Sequence, residues 1–527
     1  MNKEEALKQY FGYDEFRAGQ EDIIDQIMSG HDVMCIMPTG AGKSVCYQIP
    51  AILLDGITIV VSPLISLMND QVSALTHAGI HAAFLNSSLT SKQYDKAILQ
   101  ARNGRYKIIY VAPERLLTND FIDFSNDIKI SMVTVDEAHC VSQWGHDFRP
   151  NYLKIAQYID LLTCRPLVSA FTATATRDVK EDVVKILQLR NPYLITTGFN
   201  RKNLFFEVMN PQNKTESLLH YARKNPEKCG IVYCSTRKSV EEVCDDLCKE
   251  GLPATRYHAG LDEKERTENQ EAFGCDQKKI MVATNAFGMG IDKSNVSYVV
   301  HYNMPGSIEN YYQEAGRAGR DGNTAKCVLF FSSSDVKTIR YFIDISEGNP
   351  NLEKNVQIAI RQKEIKRLQS MIEYSHTKSC LREYILNYFG EKMDSYCGFC
   401  SNCMAKSRRH LQPVQSIKPA KATKTTIKTN KKKSAANRAT KSTIREMGSF
   451  SNELLVNLYD LRIRIAKRER VSPSTIFPDE MLREMCQMKP CYMNDFGSIH
   501  GMTVFRKNKY GKEFVAVIRD YIAYHPV

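Results

Sequence analysis

Tryptophan is almost absent from this chain, with one residue, Trp144, among 527. No run of about 18 apolar residues occurs anywhere, so no membrane span is expected and no membrane partner is implied. The amino-terminal stretch MNKEEALKQYFGYDEF has none of the basic-then-apolar character of a secretory leader. With no secretory signal pattern there, the 16 cysteines are expected to be reduced thiols of a cytoplasmic protein rather than the staples of a small disulfide scaffold, one cluster described below excepted. One core is also excluded, because a chain of this length divides into three or four domains.

A net excess of positive charge is missing from most of the chain as well, the cations and anions elsewhere balancing. The formal net charge is +12, and residues 405–446 hold nine Lys and four Arg against one Glu, which accounts for all of it. That segment, rich in Lys, Thr and Ala, has few large apolar residues to offset its ordering entropy and reads as a flexible linker.

The remaining segments have a clear rhythm. Apolar, β-rich runs at Val33–Met37, Thr58–Val61, Ile108–Val111 and Met132–Val135 alternate with amphipathic stretches, the pattern of a parallel doubly wound α/β sheet. Runs at Gly230–Cys234, Lys279–Ala283, Tyr298–Tyr302 and Lys326–Phe331 repeat it. The expected division is therefore an α/β lobe over 1–205, a second over 206–340, a helical, cysteine-rich segment over 341–404, the linker over 405–446 and a small helical domain over 447–527. In the last, Leu454, Leu458, Leu461 and Ile465 fall on one helical face.

Three motifs carry chemistry. Met37-Pro-Thr-Gly-Ala-Gly-Lys-Ser44 follows an apolar strand and precedes a helix, with Met37 where the first glycine of a strict phosphate loop would stand. Backbone N–H groups around Thr39, Gly40 and Gly42 would cradle phosphate oxygens; Lys43 would reach the β and γ phosphates of ATP, and the Ser44 hydroxyl would bind Mg²⁺. Asp136-Glu137-Ala138-His139 ends another apolar strand, where Asp136 would hold Mg²⁺ and Glu137 would activate the attacking water. Tyr311 to Gly322 places Arg317 and Arg320 on one face; an arginine supplied from the second lobe would stabilise the transferring phosphoryl group.

The lone tryptophan sits directly after the acidic motif, in a loop that also holds His146, Phe148 and Arg149. Aromatic rings and cations on one short loop suit a stacked, negatively charged polymer. Farther on, Cys397, Cys400 and Cys403 have Cys-x2-Cys-x2-Cys spacing, and Cys380 supplies a fourth thiolate for a tetrahedral Zn²⁺ site; an iron–sulfur cluster uses similar runs. Cys244 and Cys248, four apart on a helix, are expected to pack rather than ligate.

Taken in order, these pieces resemble the RecQ family of superfamily 2 DNA helicases, over residues 8 to about 404 and again from about 450. Phe11-Gly-Tyr-Asp-Glu-Phe-Arg-Ala-Gly-Gln20 is similar to the family's adenine-reading segment, which implies that Gln20 bonds adenine while Tyr13 and Arg17 pack on it. Ser62–Gln71, Ala112–Arg115 and Phe171–Thr176 resemble first-lobe coupling and strand-binding motifs; Tyr233–Arg237, Tyr257–Leu261 and Ala283–Asp292 resemble those of the second lobe. By that resemblance Ser62, Arg237, His258 and Thr284 join Trp144, His146, Phe148 and Arg149 as DNA contacts. Gln143–Pro150 is similar to the family's DNA-sensing loop, the cysteines to its zinc subdomain, and the carboxy-terminal domain to the HRDC module, in which Phe505–Lys512 is either a phosphate contact or a solvated helix end.

The resemblance implies 3′→5′ translocation on single-stranded DNA, unwinding of tailed or forked duplexes, roles in recombination and repair, and ATP, Mg²⁺ and Zn²⁺ as cofactors. The expected state is a monomer, nucleoid-associated if the source is bacterial, with a single-strand-binding protein as a candidate partner. Longer members carry a winged-helix domain after the zinc site, whereas here the cysteines lead into the Lys-rich run. Two other readings stay open: an RNA-directed ATPase, since RNA helicases share such lobes, and, because no winged helix follows, a DNA-stimulated translocase or strand-annealing protein with weak unwinding.

Overall fold

The computed structural model describes residues 1–288, 293–345, 354–393, 396–410, 450–469, 471 and 473–524. Most of the basic run, 411–446, lies outside them; its first residues belong to the helix Ser401–His410.

The first lobe is a seven-stranded sheet of β1 (Val33–Ile36), β2 (Ile57–Val61), β3 (Ala82–Leu85), β4 (Ile108–Val111), β5 (Ile130–Val135), β6 (Leu167–Thr172) and β7 (Tyr193–Thr196), ordered β3-β4-β2-β5-β6-β1-β7. Every pairing in it is parallel. Parallel neighbours need crossover helices, so both sheet faces are covered and the central strands are continuous apolar runs. All five residues of β2 are buried, as are all four of β1.

The second lobe repeats the design with β8 (Leu204–Met209), β9 (Cys229–Tyr233), β10 (Ala254–Tyr257), β11 (Ile280–Ala283), β12 (Val296–His301) and β13 (Ala325–Phe330) in the order β10-β11-β9-β12-β13-β8. Its first strand starts at Leu204, so the link between the lobes is the short stretch 197–203. Functional loops of both sheets issue from the carboxyl ends of their strands, the side on which parallel α/β sheets bind ligands.

A long helix, Lys354–His376, and a shorter one, Leu381–Tyr388, pack beside the second lobe. The cysteine knuckle then touches β8, where Cys400 makes an isolated parallel bridge to Phe206. The carboxy-terminal helices Phe450–Glu469, Asp479–Met488 and Val504–Tyr524 close around their own core of Leu454, Leu458, Leu461, Ile465, Phe477 and Phe514. The helical face read from the sequence is thus the buried one. Among the described residues, no helix is long and apolar enough to cross a membrane.

Candidate functional site

The phosphate loop turns on two glycines. Gly40 and Gly42 have φ of +79° and +86°, a region glycine enters without steric cost, and Gly42 caps the helix Lys43–Leu53. That helix start presents free N–H groups and a positive dipole end, the ordinary setting for a phosphate. Gln20 braces the loop: its side-chain amide donates to the carbonyl of Gly42 at 3.0 Å and accepts from the Arg17 N–H at 2.8 Å. Arg17 donates to the carbonyl of Gly40 at 2.8 Å, and Tyr13 lies exposed on the same segment. The carboxy-terminal domain approaches this segment, with His500 Nδ1 3.4 Å from Asp14 Oδ2.

Asp136 and Glu137 emerge at the carboxyl end of β5, beside the loop. Glu137 is held at φ +49°, a conformation non-glycine residues rarely adopt and one that tends to persist at functional sites. Its carboxylate lies 3.8 Å from Lys43 Nζ. Burial pushes the Asp136 carboxyl up to about 7, with the Glu137 charge adding to it and Lys43 opposing. Lys43 Nζ, Thr39 Oγ1, Glu137 Oε2 and Arg317 Nε are all buried with no hydrogen-bond partner among the described residues. Orphaned buried donors and acceptors are costly, and their convergence on one cleft fits a phosphate chain with a cation.

The second lobe closes the cleft. Arg317 and Arg320 follow the helix Ile308–Ala315, and the side chain of Arg320 lies against Gly40 of the phosphate loop. Arg317 is buried near Gly288.

The tryptophan loop joins both lobes. His146 stacks on His139, the last residue of the acidic motif, with ring centroids 4.3 Å apart, and its Nε2 lies 3.2 Å from Gln313 Oε1 of the second lobe. His139 Nδ1 in turn lies 2.8 Å from Thr172 Oγ1 at the end of β6, and burial holds its pKa well below the usual range, so the ring is neutral. Trp144 is half-buried under Lys363, whose Nζ lies 5.0 Å from the ring centroid. Arg367, on the helix Lys354–His376, donates to the backbone carbonyls of Trp144 and Gly145 and pairs with Glu309 at 3.3 Å. Gln313, Lys363 and Arg367 are not among the sequence candidates. Their contacts are long-range, and no local pattern marks them.

Not every expected DNA contact faces outward. Arg149 divides its guanidinium between Asp147 and the carbonyl of Pro63, bracing the loop rather than reaching into solvent. Ser62 is fully buried, and His258 is buried against Glu241 at 2.6 Å. Phe148 and Thr284 are half-buried and Arg237 is exposed; the end of the Thr284 motif, 289–292, lies outside the described residues. In the carboxy-terminal candidate stretch, Lys509 is paired with Glu469 at 2.7 Å.

The four cysteines converge as expected. The sulfurs of Cys380, Cys397, Cys400 and Cys403 all lie within 4.8 Å of one another, and those of Cys397 and Cys403 are 3.9 Å apart. Tetrahedral Zn–S bonds of about 2.3 Å require sulfur separations of roughly 3.8 Å, so the cluster fits Zn²⁺. Cys244 is buried and Cys248 exposed, and neither joins a candidate metal group among the described residues.

Two parallel-sheet lobes, with a phosphate loop and acidic motif on one facing an arginine turn on the other, define a superfamily 2 helicase motor. Family models match along the chain: DEAD/DEAH box helicase over 17–182, helicase conserved C-terminal domain over 213–322, RecQ zinc-binding over 333–404 and HRDC domain over 451–518. The chain belongs to the RecQ family of ATP-dependent DNA helicases.

It is 45% identical to the ATP-dependent DNA helicase RecQ of Bacillus subtilis, over 77% of this chain and 67% of that protein. It is 32% identical to the Haemophilus influenzae protein of the same name, over 98% of this chain and 96% of the other. A putative ATP-dependent RNA helicase of Acanthamoeba polyphaga mimivirus is 41% identical over 75% of this chain and 71% of its own length. The fold is shared with the helicase MrfA bound to DNA, at TM-score 0.53 and 18% identity, covering 78% of this chain and 57% of that one.

Proposed function

We propose that this protein couples ATP hydrolysis to 3′→5′ movement along single-stranded DNA and separates the strands of tailed or forked duplexes. ATP binds between the lobes, with its phosphates on the loop around Thr39, Gly40, Gly42 and Lys43 and its base near Gln20, Tyr13 and Arg17. When bound, Mg²⁺ would neutralise charge on the β and γ phosphate oxygens, held by Ser44 and Asp136. Glu137 orients the attacking water and takes its proton as the water oxygen bonds to the γ phosphorus. The bond from that phosphorus to the bridging oxygen breaks, and ADP and phosphate leave. Arg317 and Arg320 stabilise the charge that moves onto the bridging and equatorial oxygens.

The observation that carries the reading is the pair of contacts made by His146. A loop that stacks on the acidic motif and reaches Gln313 of the opposite lobe would report a bound strand to both halves of the ATPase site. Trp144 and Phe148, on the same loop, would meet the bases, and exposed Arg237 the backbone.

The test is ATP-driven unwinding of short duplexes with a 3′ or a 5′ single-stranded tail, with Glu137→Gln as control. Unwinding of the 3′-tailed substrate alone supports the proposal; unwinding of the 5′-tailed one alone would reverse the assigned direction. A translocase that separates strands weakly is the second reading, because only 405–450 lies between the matched zinc-binding and HRDC segments. DNA-stimulated hydrolysis without unwinding would favour it. Stimulation by RNA in place of DNA would favour the RNA-directed reading, which the name of the viral relative raises.

A further inference from the structure

The short stretch 197–203 between the lobes carries an arginine that is built into the cleft between them. Arg201 Nη1 donates to the carbonyl of Thr39 in the phosphate loop at 2.6 Å. The same atom reaches the carbonyl of Gly316 at 3.3 Å, and Nη2 donates to the carbonyls of Ala318 and Gly319 at 3.0 and 2.8 Å. These last three carbonyls belong to the turn that carries Arg317 and Arg320. One planar fork therefore spans the two lobes at the place where they must meet around the γ phosphate. Burial lowers the Arg201 pKa, the direction expected when a cation is partnered by carbonyls rather than carboxylates.

Arg201 is itself held from behind. Arg382, only 3% exposed, donates to the carbonyls of Arg201, Lys202 and Leu204 and to the side-chain oxygen of Asn200. It stands in the first turn of the helix Leu381–Tyr388, whose N-cap is the zinc-site residue Cys380. Phe199, two residues before Arg201, stacks on Phe389 of the same subdomain with centroids 4.5 Å apart. The zinc subdomain thus grips the link, and the link grips the cleft.

We propose that Arg201 is a positioning residue for ATP hydrolysis: its guanidinium sets the spacing between the phosphate loop and the arginine turn, and Arg382 of the zinc subdomain holds it there. A lysine would keep the charge but present a single point donor, which cannot bridge four carbonyls on two lobes. The inference rests on the cleft being the ATPase site.

The experiment compares full-length Arg201→Lys, Arg382→Lys, the double variant and Lys43→Ala with the unmodified protein. Steady-state hydrolysis at saturating single-stranded DNA, affinity for a fluorescent ADP analogue, zinc content and melting temperature are measured for each. Arg201→Lys is expected to lower kcat at least tenfold while ADP affinity stays within about threefold and zinc content is unchanged. Arg382→Lys is expected to lower kcat in the same sense, and the double variant to be no worse than Arg201→Lys, since one residue acts through the other. An unchanged kcat in Arg201→Lys overturns the proposal. So does a parallel fall in ADP affinity, which would make Arg201 a nucleotide ligand, and so does lost zinc or an early melt, which would make its role structural. Turnover that survives Lys43→Ala would instead sink the ATPase assignment itself.

Discussion

Thr39 Oγ1 fills the space that a Cβ on Gly316 would need. The arginine turn of the second lobe comes down onto the phosphate loop of the first with no room for one more carbon. Gly316 lies immediately before Arg317, so any displacement there moves the two arginines proposed to stabilise the transferring phosphoryl group. We expect Gly316→Ala to reduce kcat for ATP by about 100-fold, the usual consequence of an ångström-scale misplacement, while the affinity for ADP changes little. Steady-state kinetics and ADP titration check this; an unaltered kcat would show that the lobes do not close this tightly in turnover.

Glu137→Gln keeps the shape of the acidic motif but removes the proposed proton acceptor. A loss of about 10²–10⁴ in hydrolysis is expected, with ATP binding retained. Nucleotide binding by fluorescence beside turnover by phosphate release separates the two effects.

The His146 bridge predicts a split between basal and DNA-stimulated rates. Trp144→Ala should lower the stimulated rate by tenfold or more and leave the basal rate within about threefold, because base stacking contributes roughly 1–3 kcal/mol per ring. Gln313→Ala should move the same ratio without touching DNA. Equal loss of both rates in either variant would assign the loop to structure alone.

Zinc retention should depend on pH in a definite sense. Burial pushes the Cys397 thiol up to about 11, so a proton competes strongly with the metal for its sulfur. The metal-bound thiolate form persists at neutral and higher pH and is lost as pH falls. A chromogenic chelator should report faster zinc release at pH 5 than at pH 7.5, and Cys400→Ser should release zinc already at pH 7.5.

The basic run makes a salt-dependent prediction. Replacing its nine lysines by serine should flatten the fall of DNA affinity with salt concentration, and sequence preference should not change. An unaltered slope would mean that these cations do not meet phosphate.

The central strands and the phosphate loop were readable because each is a local pattern. Val33–Ile36 and Ile108–Val111 are unbroken apolar runs buried on both faces, and a glycine pair before Lys43 has few other uses. Four of the five strands with no such signal, β3, β7, β8 and β10, are the sheet edges, where burial is incomplete and runs are broken by residues such as Glu207 and Arg256. The site was half readable for the same reason. Lys43, Glu137 and the cysteines announce their chemistry by spacing, whereas Arg201, Arg367 and Arg382 act through partners far along the chain. Motif membership also says nothing about which way a side chain faces, so Ser62 and His258 match strand-binding motifs yet are buried.

The bridge between Cys400 and Phe206 has one more consequence. β8 is an outer strand of its sheet, and an uncovered outer strand is a template for pairing with another molecule. The cysteine knuckle lies over part of that row of backbone donors and acceptors. Stripping the metal would therefore do more than slacken a subdomain. It would lay open a strand edge, and the stripped protein is expected to self-associate and precipitate with a dependence on its own concentration, whatever becomes of its catalytic rate.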